Sequence, residues 1–380
     1  MRNFYLLAAA ATGTALVGVS PGYAKPGDKI EGSYICVFKA GAVSKANVHA
    51  EANRAAGAAL GHVYDTAIRG FSAHMAGSAV AQLKSRNPNI AYCEQDQEMD
   101  AIQGGPFDFR IVGRPSGSQP PQSVPWGVTR VHGGTGTGSG SGTAWVIDTG
   151  INLSHPDLNV DVARSRNFSN GNSPEDGNGH GSHVAGIIGA KDNSIGVVGV
   201  SPGATLVAVR VLNNAGSGSN ADVIAGVNYV AANGHSGDVA NMSLGGGVSQ
   251  ALDQAVINAA ATGVKFTLAA GNESDSASNH SPARANGPNV YTVSAFAKGA
   301  SATDSDDPWA SYSNFGNPPV DYAEPGSAIP STYKSGGYAT LSGTSMAAPH
   351  LAGILLAGAV HNGGTVDNDP DGNPDPIGTK

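Results

Sequence analysis

A chain of 380 residues exceeds one average domain and allows two. Its charge is uneven, +2 before Ser118 (11 basic, 9 acidic residues) and −10 after it (10 basic, 20 acidic). The acidic main part carries no basic tract, which argues against nucleic acid as a partner, and beyond the N-terminus no stretch approaches the ~18 consecutive apolar residues of a membrane helix.

At the N-terminus Arg2 precedes an apolar run, Phe4 to Val19, and Gly22, Tyr23 and Ala24 put small residues where a signal peptidase reads. Residues 1–24 therefore read as a signal peptide rather than a retained anchor, and the remainder is expected to be secreted or periplasmic.

Residues 33 to 100 read as a small α+β unit. SYICVFKAG is a strand, VSKANVHAEANRAAGAAL an Ala-rich amphipathic helix, GFSAHMAG a strand, AVAQLKSR a helix and IAYCEQDQEM a strand. The chain's two cysteines, Cys36 and Cys93, fall in the first and last of these strands, which suit antiparallel neighbours. The pair admits either a disulfide or two buried thiols. The main part is free of cysteine, so its stability outside a cell rests on a sizeable core, bound metal or both. From Gln103 to Gln122 the sequence turns to Gly, Pro and Ser, the composition of a linker.

Beyond the linker short apolar strands alternate with helical segments. TAWVID, TLVAVRVL, DVANMSL, VKFTLAA and NVYTVSA are the strands; HVAGIIGA, NADVIAGVNYVAAN, SQALDQAVINAAATG and MAAPHLAGILLAGAV are the helices. That order predicts a doubly wound, mostly parallel α/β sheet with helices on both faces. In such sheets the reactive groups gather at the carboxyl ends of strands. Asp148 ends the first of them, within WVIDTGI, and His180 follows in GNGHGSHVAG, where a Gly-rich loop feeds a helix.

Near the C-terminus, SGTSMAAPH sets Ser345 at the start of a helix, with Gly343 for a sharp turn and Thr344 as the expected N-cap. A serine there lies at the positive end of a helix dipole, where a free N–H faces charge developing on a substrate oxygen. Pro349 has no N–H and leaves the carbonyl of Ser345 unbonded, so an irregular first turn is expected. Asp148, His180 and Ser345 together supply an orienting carboxylate, a base and a nucleophile.

Those three segments, their order and the SGTSMAAPH string resemble the subtilisin-like serine proteases, the subtilases, over roughly Gln122 to Val360. The resemblance implies a secreted serine endopeptidase working through an acyl-enzyme. Asn272 in LAAGNES would be the side-chain donor to the oxyanion. It also implies that NMSLGGG, with Ser243, Leu244, Gly245 and Gly246, pairs with an extended substrate, and that GSGS, with Gly218, forms the opposite rail. Little bulk at Gly245 to Gly247 and Ala269 to Gly271 suits large apolar side chains before the cut, with His280 near the pocket floor.

The N-terminal unit then resembles a subtilase propeptide, a ferredoxin-like inhibitor that chaperones folding and is removed by self-cleavage. The expected layout is signal peptide 1–24, propeptide 25–102, linker with processing site 103–121 and peptidase 122–380, a monomer with its own propeptide as intramolecular inhibitor. A catalytically silent binding protein on the same scaffold is the alternative reading.

Structural calcium is a further implication. PQSVPWGV, HPDL and KDNSIGVVGVSP resemble a strong subtilisin calcium site, with side chains of Gln122, Asp157 and Asn193 and carbonyls of Lys191, Ile195 and Val197 as ligands. Pro288, Val290 and Asp321 resemble a weaker one.

Competing motifs are weaker. His183 lacks an HExxH pattern and a third ligand and reads as an ordinary helix residue. GVSPG occurs at Gly18 and Gly199 as a GxSxG pattern, but Pro21 or Pro202 follows the serine and has no N–H for an oxyanion hole. VDNDPDGNPDP at the C-terminus departs from the family: Asp367, Asp369, Asp371 and Gly372 have the spacing of a calcium loop, but with Asp375 further on and no closing Glu the segment reads as a solvated acidic tail.

Overall fold

The chain is described by a computed structural model covering residues 25–102, 110–112, 119–135, 142–300 and 306–380. The signal peptide read at 1–24 and most of the linker lie outside the described residues.

The N-terminal unit runs β1 (Lys29–Phe38), α1 (Val48–Ala56), β2 (Leu60–Tyr64), β3 (Gly70–His74), α2 (Gly77–Arg86) and β4 (Ile90–Ala101). Its antiparallel sheet has the order β4-β1-β3-β2. The helix expected to reach Leu60 stops earlier: Gly57, at φ 54°, breaks α1, and the chain reverses into β2. Cys36 and Cys93 face each other across β1 and β4 and are joined by a disulfide.

A short strand, β5 (Arg110–Val112), precedes the main unit, which begins with α3 (Trp126–Arg130), β6 (Thr143–Asp148), β7 (Arg166–Asn167), α4 (His180–Gly189) and β8 (Thr205–Arg210). Next come β9 (Ser217–Ser219), α5 (Asn220–Asn233), β10 (Val239–Met242), β11 (Leu244–Gly246), α6 (Gln250–Ala260), β12 (Lys265–Ala269) and β13 (Val290–Phe296). The chain closes with β14 (Val320–Pro325), β15 (Ile329–Tyr333), β16 (Gly337–Leu341), α7 (Thr344–Ala357), β17 (His361–Thr365) and β18 (Pro376–Thr379).

The main sheet has the order β17-β18-β14-β13-β12-β10-β6-β8-β7, parallel throughout except for the β17–β18 pair. Its central strands are buried on both faces, which is why TAWVID reads as a continuous apolar run rather than an alternating one. Leu252, Val223 and Val227 of α5 and α6 fill one side with Trp145 and Phe266; Val184, Ile188, Leu351 and Ile354 of α4 and α7 fill the other. The α/β architecture expected from the sequence is the one observed.

The C-terminal reading needs correction. The segment is not a free tail: β18 joins the sheet beside β14, β17 pairs back on it and Asp375 is fully buried, although the loop between them, 367–374, is mostly exposed as read. The Asp375 carboxylate accepts from Ser294 Oγ at 2.5 Å and Asn317 Nδ2 at 2.7 Å. Burial still lifts its pKa to about 6.

The N-terminal unit stacks its sheet on α5 and α6. Tyr64 donates its hydroxyl to Ala221 O at 3.1 Å, and the Asn228 carboxamide oxygen receives the N–H groups of Asp65, Thr66 and Ala67 at 2.7–3.1 Å. Two carboxylates of β4 meet helix starts. Asp96 accepts from Ala221 N at 3.1 Å, and Glu94 accepts from the α6 N-cap Ser249 Oγ at 2.5 Å. Each supplies negative charge where orphan N–H groups and the dipole favour it.

Candidate active site

Three element ends converge. Asp148 closes β6, His180 opens α4 and Ser345 is the second residue of α7, and all three are fully buried. His180 Nδ1 lies 2.9 Å from both Asp148 oxygens. Burial alone would lower the His180 pKa, but the charge and hydrogen bond of Asp148, with help from Asp176, outweigh it and hold the imidazole above its ordinary value. The Ile102 backbone adds to that direction, and Nε2 is buried without a geometrically formed hydrogen bond.

The start of α7 differs from the expected one. Gly343, at φ 147°, is the N-cap, and Thr344 is already the first helical residue. Thr344 serves instead as an anchor: its N and Oγ1 donate to Asn272 Oδ1 at 2.9 and 3.0 Å, and its Oγ1 accepts from Gly271 N at 3.1 Å. With Oδ1 so engaged, Asn272 Nδ2 is buried without a partner. The carbonyl left free by Pro349 is satisfied from outside the helix, by Ser243 Oγ at 2.9 Å, while Ser345 Oγ donates to Ser243 O at 3.1 Å. A hydroxyl at a helix start, an imidazole held by a carboxylate and a buried unpaired amide donor are the kinds of group acyl transfer requires.

The end of β4 occupies this cleft as a strand between two edges. Leu244, Gly245 and Gly246 pair antiparallel with Ala101, Asp100 and Met99 on one side, and Gly218 pairs with Met99 on the other. Ile102 N donates to Ser243 O at 3.3 Å. Met99 is fully buried, and a Cβ on Gly246 would lie 2.6 Å from its sulfur; a Cβ on Gly245 would lie 2.9 Å from Ile102 Cδ1. A Cβ on Gly246 would also lie 2.9 Å from Glu98 O, so the close backbone of β4 calls for glycine there, whereas at Gly245 only the end of the Ile102 side chain would have to shift. Beside Ile102 lies a cavity of about 320 Å³, walled by Gly245, Ala269, Ala270, Gly271 and His280. His280 Nε2 is 3.5 Å from Asp275 Oδ2 and 3.8 Å from Glu273 Oε2, so the apolar cavity has an acidic rim that the sequence reading missed.

The residues read as calcium ligands also meet. Asp157 is fully buried, with Oδ1 2.8 Å from Asn193 Nδ2 and Oδ2 accepting from Val197 N at 3.1 Å. Gln122 Oε1 accepts from Asn193 N at 2.5 Å, Asn193 Oδ1 accepts from Ile195 N at 2.7 Å, and Lys191 N donates to Asp157 O at 2.9 Å. Desolvation raises the Asp157 pKa, as befits a buried anion short of a counter-charge. One carboxylate, amide oxygens and backbone carbonyls are the donor types a hard divalent cation takes. No cluster of three or more His, Cys, Asp or Glu suited to a metal occurs among the described residues, so amide and backbone oxygens would have to complete the shell. Asp321, of the weaker set, accepts from Thr292 N at 2.9 Å and has a pKa raised to about 6 by burial.

His183 is buried with Nε2 3.0 Å from Ile329 O and 3.1 Å from Ala339 O, and desolvation drops its pKa to about 3. It packs as a neutral ring inside α4.

The sequence model of the subtilase family matches residues 144–359, and that of the peptidase inhibitor I9 family matches residues 33–101. The alkaline serine exoprotease A of Vibrio alginolyticus is 41% identical over 310 residues, 77% of this chain and 52% of that protein; the match spans about half the relative's length. The extracellular serine proteinase of Thermus sp. (strain Rt41A) is 39% identical over 78% of this chain and 68% of its own. Among solved structures, a cold-adapted subtilisin-like serine proteinase aligns with a TM-score of 0.55 and 37% identity, covering 66% of this chain and 96% of that one.

Proposed function

The chain belongs to the subtilase family of serine endopeptidases and carries an I9 inhibitor domain, and from that premise we propose that it is secreted as a precursor that cuts itself between Ile102 and Gln103. In this reading residues 1–24 are the signal peptide, 25–102 the propeptide and 122–380 the peptidase domain, a monomer released from its own inhibitor.

Ser345 Oγ attacks the carbonyl carbon of the residue held at Ser243 O, and its proton passes to His180 Nε2. Asp148 holds the ring through Nδ1 and stabilises the imidazolium. The tetrahedral oxyanion forms between Asn272 Nδ2 and the Ser345 N–H, donors already fixed before reaction. His180 returns the proton to the leaving amine, and water repeats the sequence to hydrolyse the acyl-enzyme. The observation that carries this reading is the strand Met99–Ile102 lying between two edges with Ile102 N on Ser243 O, the posture of an extended substrate.

The cavity beside Ile102 favours large apolar side chains before the cut, with Glu273 and Asp275 confined to its rim. Calcium held by Gln122, Asp157, Asn193 and carbonyls of Lys191, Ile195 and Val197 would neutralise a buried carboxylate and tie the start of the peptidase domain to its body. A fluorophosphonate probe tests the chemistry. The processed wild type is expected to carry the label on Ser345 in peptide mapping; absence of labelling in folded, processed protein overturns the assignment.

A further inference from the structure

Four residues before His180 lies a carboxylate that the triad does not use. Asp176 is 3% exposed and is saturated with donors. Its Oδ1 accepts from Thr149 Oγ1 at 2.9 Å, Asn178 N at 2.9 Å and Gly179 N at 2.7 Å, and its Oδ2 accepts from Ser182 N at 2.9 Å and Ser182 Oγ at 2.7 Å. The N-cap of α4 is Gly179, at φ 114°, which has no side chain to offer the helix start. Asp176 fills that role from outside, placing negative charge where unpaired N–H groups and the dipole favour it.

The same carboxylate reaches the strand that carries Asp148. Thr149 N donates to Asp148 Oδ1 at 2.6 Å, and Thr149 Oγ1 accepts from Gly181 N at 2.9 Å while donating to Asp176. Ser182 Oγ in turn accepts from Asn152 N at 2.8 Å. The end of β6 and the first turn of α4 are thereby locked through Asp176, and these are the elements whose relative position sets the Asp148–His180 contact.

We propose that Asp176 is a positioning residue for the reaction, holding His180 against Asp148 and adding a second negative charge behind the imidazole. The proposal rests on the reading of His180 as the base. The charged and titratable groups around the hub are few. Asp148 and His180 face it, and the Tyr333 ring lies over Gly179, where an added Cβ would be 2.3 Å from it. Lys334 Nζ binds Gly177 O at 2.9 Å, Arg210 binds Glu175 O at 2.7 Å, and the Glu175 carboxylate turns to Asn152 Nδ2 at 2.5 Å. Asp176 and Asp148 both push the His180 pKa upward. Removing the Asp176 charge therefore lets that pKa fall, so activity persists to lower pH.

The test compares Asp176→Asn with Ser182→Ala, Thr149→Val and His180→Ala on a soluble peptide anilide across pH. Asp176→Asn is expected to lower kcat about tenfold or more with KM within about twofold, and to move the acid limb of kcat/KM down by about half a pH unit. Ser182→Ala keeps the charge and is expected to leave the acid limb in place. Thr149→Val cuts the link from strand to hub and is expected to lower kcat without raising KM. Because maturation needs activity, the His180 titration is also read by NMR in the uncut Ser345→Ala precursor, with and without Asp176→Asn. An unmoved His180 pKa overturns the proposal, as does unchanged kcat in Thr149→Val should the Asn variant not fold. Activity surviving in His180→Ala would sink the reading of the base itself and is distinguishable from either.

Discussion

Asn272 Oδ1 receives both the N–H and the hydroxyl of Thr344, at 2.9 and 3.0 Å, so the carboxamide is held with Nδ2 buried and without a partner. In the proposed mechanism this donor is oriented by the residue next to the nucleophile, so charge stabilisation would require no reorganisation at the moment of reaction.

Asn272→Ala should therefore keep the fold and KM while kcat drops about 10²- to 10³-fold, the size found when the corresponding donor is removed from a subtilisin. Thr344→Val, which loses the hydroxyl contact but keeps the N–H, should fall less. Steady-state kinetics on processed protein decides; near-wild-type kcat in Asn272→Ala contradicts the assignment.

Chelation should lower Tm and speed autolysis, because an ion bound only by the native state stabilises it by mass action. The effect depends on pH with a definite sign. Burial raises the Asp157 pKa, so ionising it without a cation costs stability above that pKa, and calcium relieves this. The calcium increment in Tm should shrink as pH falls through the Asp157 pKa and should diminish in Asp157→Asn. Equal Tm in excess calcium and chelator at neutral pH contradicts the site.

Much of this was legible in the sequence, and the parts that were not share a physical cause. NADVIAGVNYVAAN coincides with α5 because apolar spacing and the Ser219 cap agree. TAWVID was readable because a strand buried on both faces is uniformly apolar. By contrast VDYAEP, IPSTY and GYATL are interrupted by Pro, Gly and polar residues, and β14 to β16 hold together through pairing partners distant in sequence. Asp375 looked solvated because nothing local announces that Ser294 and Asn317 wait for it. Asp176 passed unnoticed beside His180, although PEDGNGH contains it, since a donor-saturated carboxylate has no signature in one chain. Ser243 reads from its motif as part of a substrate rail, and nothing in the sequence announces its hydroxyl as the partner of the Ser345 carbonyl.

The disulfide yields a prediction confined to the inhibitor. Cys36 and Cys93, 57 residues apart, are the chain's only cysteines. Closing a loop of that length stabilises the folded form by about 4 kcal/mol in the chain-entropy account. Cys93 leads directly into the strand that fills the cleft. A dithiol reductant should weaken inhibition by the propeptide added in trans while leaving turnover of the cysteine-free mature enzyme unchanged. Equal inhibition by reduced and oxidised propeptide contradicts this.

The glycines facing the substrate strand should set specificity. A methyl on Gly245 would lie 2.9 Å from an Ile102-like side chain, so Gly245→Ala should raise KM for bulky residues before the cut more than for alanine. A peptide library should be cut mainly after large apolar residues. Cleavage chiefly after Lys or Arg would instead assign the pocket to its acidic rim.

The most direct measurement is N-terminal sequencing and intact mass of secreted wild type and Ser345→Ala from a host lacking other proteases. Tethering gives the Ile102 segment a high local concentration in its own cleft, so the first cut should not depend on protein concentration. Wild type should yield a fragment ending at Ile102 and a partner beginning at Gln103 or at a later trimmed position up to Gln122, whereas Ser345→Ala should remain one chain beginning near Lys25. Ser345→Ala cut as fully as wild type, at the same bond and rate, would contradict self-processing and require a separate convertase.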